Sequence, residues 1–128
     1  MKLTANILVV DDDINTLKLL DMTLSGAGHR VTLAQSWQEV NNRIKEMYHE
    51  GKVFEVVVLD LMMPERSGFD VLRSLQVLLH PMPPVIILSA LTAIKDAAAA
   101  RELGAVKYLT KPTTPEKLLG AIREVLRP

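Results

Sequence analysis

Cysteine is missing from all 128 residues. Neither disulfides nor thiolate metal ligands therefore hold this chain together, which suits a reducing compartment. An excess of one charge is missing too: 15 Lys plus Arg balance 15 Asp plus Glu. A chain that binds nucleic acid by itself normally carries a basic excess, so direct contact with DNA or RNA is not expected. No stretch approaches the roughly eighteen apolar residues of a membrane span. Met1-Lys2-Leu3-Thr4 opens without the apolar run of a secretory signal. Histidine is sparse, and His29, His49 and His80 lie too far apart for metal-ligand spacing; they read as ordinary surface or loop residues. A cytoplasmic protein with no membrane partner is expected.

What is present is an ordinary globular composition, 48% hydrophobic and 23% charged. The length suits a single domain over residues 1–128 with a core of its own, and no output domain is visible before Pro128. Ile7–Val10, Val56–Leu59 and Val85–Leu88 are short apolar runs, rich in β-branched residues, that do not alternate with polar ones. That pattern belongs to strands buried on both faces, as in a parallel sheet. Residues 30–33 and 106–109 are weaker strand candidates. Between the strands, apolar residues recur at helical spacing: Leu17, Leu20, Leu24 and Ala27, stopped by Gly28; Val40, Ile44 and Met47, stopped by Gly51; Val71, Leu72, Leu75 and Leu79, ending near His80-Pro81. The alanine run 97–100 leads to Leu103-Gly104, and Leu118, Leu119, Ile122 and Leu126 form a fifth stripe after a Thr114 N-cap with Pro115 at the first helical position. Five strand–helix units in succession define an α/β fold of parallel strands with right-handed crossovers.

In an open parallel sheet, ligands bind beyond the carboxyl ends of the strands, where strand order reverses. The first strand ends in Asp11-Asp12-Asp13, the third in Asp60, the fourth in Ser89, and the fifth runs into Thr110-Lys111-Pro112. An acidic cluster, a hydroxyl and a lysine therefore share one edge. Two carboxylates about 5 Å apart repel by roughly 3 kcal/mol at an effective dielectric near 20, a cost that a hard divalent cation removes. Mg²⁺ favours one or two carboxylates, a carbonyl, waters and a phosphate. A carboxylate beside it can act as nucleophile toward a phosphoryl group, while lysine and metal neutralise the transferring oxygens.

These motifs resemble the receiver domain of two-component response regulators: Val9-Val10-Asp11-Asp12-Asp13, Val58-Leu59-Asp60-Leu61-Met62-Met63-Pro64 with Ser67-Gly68, Ile87-Leu88-Ser89-Ala90 and Tyr108-Leu109-Thr110-Lys111-Pro112. The resemblance covers nearly the whole chain. It implies a flavodoxin-like, doubly wound sheet of order 2-1-3-4-5 flanked by five helices. It also implies Asp60 as phosphoacceptor, and Mg²⁺ (or Mn²⁺) held by Asp12, Asp60 and the Met62 backbone carbonyl, with Asp11 holding metal-bound water. Lys111 would pair with the phosphoryl group, Ser89 would be the switch hydroxyl and Tyr108 the aromatic switch. A cis Lys111–Pro112 bond is implied, as is Gly68 at an unhindered turn. The donor would be a histidine kinase, a phosphotransfer protein or a small phosphorylated metabolite, since no histidine here looks like a phosphodonor. Phosphorylation would change the face made by the fourth helix, fifth strand and fifth helix, which an output domain or target reads.

Some residues depart from the family pattern. Met62 and Leu91, two residues after Asp60 and Ser89, flank the path of the hydrolytic water in such domains, and neither binds water well, so slow self-dephosphorylation is expected. Val106-Lys107 and Thr113 stand where receivers of winged-helix regulators usually carry acidic residues and Phe, which argues against their symmetric dimer. The segment from Ser36 to Phe54 is long, and an extended second helix is expected. Other readings sit beside these. Asp11–Asp13 could form a helix-cap cluster, with Asp13 the cap itself. Tyr108 could fill the core edge, Met63 could be core, and Trp37 could be a packing or surface residue. Asp11-x-Asp13 also fits phosphohydrolases of the haloacid-dehalogenase type, but those need a further acidic pair after the lysine, and here only Glu116 and Glu124 follow. A protein-binding pseudo-receiver is the remaining alternative.

Overall fold

The computed structural model describes residues 4–63, 66–91 and 93–127, so Pro64 of the motif after Asp60 lies outside the described residues. Strands and helices alternate: β1 (Asn6–Val10), α1 (Ile14–Gly26), β2 (Arg30–Ala34), α2 (Trp37–His49), β3 (Val56–Leu59), α3 (Gly68–Leu78), β4 (Val85–Ser89), α4 (Ile94–Glu102), β5 (Ala105–Thr110) and α5 (Pro115–Leu126). The five strands form one parallel sheet of order β2-β1-β3-β4-β5. The order reverses between β1 and β3, which places a binding crevice at their carboxyl ends.

The unbroken apolar runs follow from this arrangement. Successive strand side chains point to opposite faces, and both faces are covered. Leu8, Val10, Val57, Leu59, Val85 and Ile87 point to the side packed by Val40 of α2, Val71, Leu72 and Leu75 of α3 and Ala100 of α4. Ile7, Val9, Val56, Val58, Ile86 and Leu88 point to the other side, against Leu17, Leu20 and Leu24 of α1 and Leu118, Ala121 and Ile122 of α5. The edge strands are less buried, and β5 carries a register shift opposite Val85/Ile86 that leaves Val106 exposed.

Helix starts are set by side chains that accept the first free N–H groups. Asp13, Ser36, Ser67 and Thr114 each cap the helix that follows, whereas Ala93 at the start of α4 supplies no such bond. Ala27 caps α1 rather than continuing its stripe, and Gly28 takes a positive φ of 96° just beyond. One expectation is corrected in part: His29 lies in a loop, as expected, but not at the surface. It is 8% exposed, and its Nδ1 accepts the Ala5 N–H at 3.1 Å. The chain turns from α1 into β2 at this point, so the ring is enclosed and satisfies a backbone donor beside β1. No helix among the described residues is long and apolar enough to cross a membrane.

Candidate functional site

Sheet hydrogen bonding runs one residue past the strands and fixes the backbone of the site. Asp11 N–H donates to Ala34 O at 3.1 Å, Asp60 N–H to Val10 O at 3.0 Å, and Lys111 N–H to Ser89 O at 2.8 Å. Each residue is thereby pinned to a neighbouring strand before its side chain is considered. Asp11 and Asp60 are 2% and 5% exposed, whereas Asp12 is exposed.

The side chains converge. Lys111 Nζ donates to Asp11 Oδ2 at 2.6 Å and to Asp60 Oδ2 at 3.1 Å. Asp11 Oδ1 accepts the Asp13 N–H and Asp60 Oδ1 the Met62 N–H, each at 3.0 Å. Burial raises the Asp11 pKa above the usual carboxylate range, against the opposing pull of Lys111. Burial would depress Lys111, but its bond to Asp11 and the charges of Asp11 and Asp60 outweigh that, so its pKa rises. Asp11, Asp12 and Asp60 each offer a carboxylate oxygen, all within 4.8 Å of one another. One ammonium among three carboxylates leaves two negative charges uncompensated, which a divalent cation would cancel. All-oxygen donors suit Mg²⁺ or Mn²⁺, and a carboxylate oxygen already holding one hydrogen bond keeps a second lone pair. The residues present fit such an ion.

Ser89 and Tyr108 meet on the loop after β4 instead of on the carboxylates. Ser89 is fully buried, and its Oγ accepts the Leu91 N–H at 3.3 Å, while Tyr108 Oη donates to Leu91 O at 2.8 Å. Leu91 is thus gripped by both main-chain groups, one from β4 and one from β5. Burial pushes the Tyr108 phenol pKa upward. Asp13 stands apart as the α1 cap, accepting from Asn15 N–H and Thr16 Oγ1, both at 3.0 Å. Met62 is 52% exposed, Met63 packs against the core, and the Lys111–Pro112 peptide bond is cis. Glu116 and Glu124 lie on α5, and Glu124 pairs with Lys107 on β5.

Sequence reasoning missed one feature beside the site. Arg66 lies over the Trp37 ring, 4.9 Å from its centroid, and donates from Nη2 to Ser74 Oγ at 3.0 Å. A cleft of about 510 Å³ runs alongside, lined by Asp12, Gln35, Ser36, Trp37, Met63 and Arg66 among others. Trp37 and Arg66 are far apart in sequence and share no motif, so only the fold brings them together.

A doubly wound five-stranded sheet with acidic residues and a lysine at its strand ends defines a CheY-like receiver. Residues 7–123 match the response regulator receiver domain, and the chain belongs to that family. The transcriptional regulatory protein ZraR of Klebsiella oxytoca is 36% identical over 121 residues, which cover 94% of this chain and 26% of the relative. The chain therefore spans about a quarter of that regulator's length. Among solved structures, Vibrio cholerae CheY4 superposes with a TM-score of 0.86 at 27% identity, covering 97% of this chain and 100% of that one. The BeF₃-activated receiver domain of DrrB, a Thermotoga maritima regulator, gives 0.81 at 34% identity, covering 97% and 98%.

Proposed function

We propose that this domain accepts a phosphoryl group on Asp60 in a reaction that depends on Mg²⁺ or Mn²⁺. The donor is a sensor histidine kinase, a phosphotransfer protein or a small phosphorylated metabolite. The observation that carries this is the position of Lys111 Nζ, bonded at once to Asp11 and Asp60 inside a cluster that still lacks positive charge. Asp12, Asp60 and the Met62 carbonyl would hold the cation, with Asp11 fixing its water. When bound, it supplies positive charge that lets a phosphoryl group approach a carboxylate.

An Asp60 carboxylate oxygen attacks phosphorus; the new P–O bond forms as the donor's bond to phosphorus breaks, and the electron pair leaves with the donor. Lys111, held between the two carboxylates, is placed to neutralise phosphoryl oxygens where charge accumulates. The product adds up to two negative charges and strong acceptors. The Ser89 hydroxyl turns toward them and loosens its hold on the Leu91 N–H. Tyr108, bound to the Leu91 carbonyl, feels that change, and the α4–β5–α5 face is altered for an output domain or target. A shift from 1:99 to 99:1 takes about 5.5 kcal/mol of differential stabilisation. The domain is a cytoplasmic signalling switch that turns over no separate substrate.

Beryllofluoride, a mimic of the aspartyl phosphate, tests this. With Mg²⁺ it should bind the wild type and shift backbone amides at Ser89, Leu91 and Tyr108, and Asp60→Ala should abolish the response. A wild type that ignores beryllofluoride and Mg²⁺ would instead be a protein-binding pseudo-receiver.

A further inference from the structure

The loop between β3 and α3 is closed at its base. Gly68 N–H donates to Leu61 O at 3.0 Å, and a Cβ at Gly68 would lie 2.3 Å from Asp60 O and 2.4 Å from Leu61 Cα. Backbone therefore presses on backbone where the loop leaves Asp60 and returns to α3. Further along, Arg66 reaches across to two other places. Its guanidinium covers Trp37, the first residue of α2, and its Nη2 holds Ser74, in the middle of α3. Arginine suits both at once, because its plane stacks on an aromatic face while its N–H groups still donate. Arg66 and Trp37 wall the same cleft as Asp12.

We propose that Arg66 is a positioning residue for the cation site, acting as a strap that ties the β3–α3 loop to α2 and α3. The proposal rests on the reading of Asp12, Asp60 and Met62 given above. A backbone carbonyl cannot be aimed by its own side chain; the loop that carries it must be held in place. The Met62 N–H is fixed to Asp60 Oδ1, and the strap fixes Arg66, four residues later. Contacts outside the ligand set orient the ligands and raise affinity for the ion.

Mn²⁺ binding to the full chain, with free Mn²⁺ counted by electron paramagnetic resonance, tests the strap. Arg66→Ala should weaken binding about three- to tenfold, at or below the low end for outer-shell contacts of a metal site. Trp37→Ala should do much the same, and the double variant should be no weaker than either single one, because both cut one tie. Trp37→Phe keeps a ring under the guanidinium and should bind nearly as the wild type does. A merely structural role would lower the melting temperature of the metal-free protein and leave Mn²⁺ affinity untouched. Unchanged affinity in Arg66→Ala, or additive losses in the double variant, would overturn the proposal. Asp12→Asn separates the two failures. If it weakens Mn²⁺ binding while Arg66→Ala does not, only the strap is wrong. If it too has no effect, the reading of the cation site falls and the strap falls with it.

Discussion

At the scale of single residues, the site was readable because its members end strands, and the strands announce themselves. Asp11, Asp60 and Ser89 each sit at the end of an apolar run, and parallel order delivers them to one edge. What could not be read was any pairing that depends on where helices land. The stacking of Arg66 on Trp37 and the burial of His29 leave no periodic trace in the sequence. Residue identity also bears on lifetime. Met62 carries a half-exposed thioether, a weak acceptor that orders water poorly, and Leu91 offers only hydrocarbon. An aspartyl phosphate on Asp60 is expected to last minutes or longer. Met62→Asn should shorten that lifetime about tenfold, the value of one hydrogen bond of about 1.4 kcal/mol gained in the transition state. Release of inorganic phosphate from phosphorylated protein in Mg²⁺ measures it, and a wild-type half-life of a few seconds would defeat the expectation.

At the scale of elements, the central strands were plainly legible and the edge strands more faintly, at 30–33 and 106–109, where β2 and β5 are found. β1, β3 and β4 are buried on both faces and are almost purely apolar, whereas β2 and β5 mix polar and apolar residues because one side of each is open. The helices differ in how firmly they are held. α5 has a Thr114 cap and three buried residues; α4 has no side-chain cap and buries only Ala100. Low local anchoring is what an element that moves requires, and α4 belongs to the face proposed to change. Gly68 gives the expected need for an unhindered residue a specific cause. Its backbone needs no unusual turn; it needs the absence of a Cβ, since Asp60 O and Leu61 Cα occupy that space. Neither neighbour is a flexible side chain that could yield. Gly68→Ala should cost about 1–3 kcal/mol, the range for overpacking, seen as a lower urea midpoint with an unchanged slope.

At the scale of the whole molecule, His29 makes stability depend on pH. Burial lowers its pKa below the ordinary 6.5, with Glu55 opposing, and the lone pair that accepts the Ala5 N–H would be lost on protonation at Nδ1. Below pH 6.5 the unfolded chain takes up a proton that the folded chain resists, so the unfolded state is favoured. Stability is thus full above pH 6.5 and falls as pH drops toward the depressed folded pKa. The slope from this one group cannot exceed about 1.4 kcal/mol per pH unit. His29→Asn keeps an acceptor near Nδ1 and cannot titrate, so its stability should decline less over that window. Chemical denaturation at a series of pH values decides it, and parallel curves for both proteins would refute the assignment.

The grip on Leu91 has a consequence for how such a switch can be altered. Ser89 and Tyr108 hold its N–H and its carbonyl, not its side chain. In the function proposed above, transmission would run through main-chain atoms that every residue except proline possesses, while the side chain at the same position packs against the core. A change of side chain at this position should therefore leave both main-chain bonds, and any signal routed through them, in place.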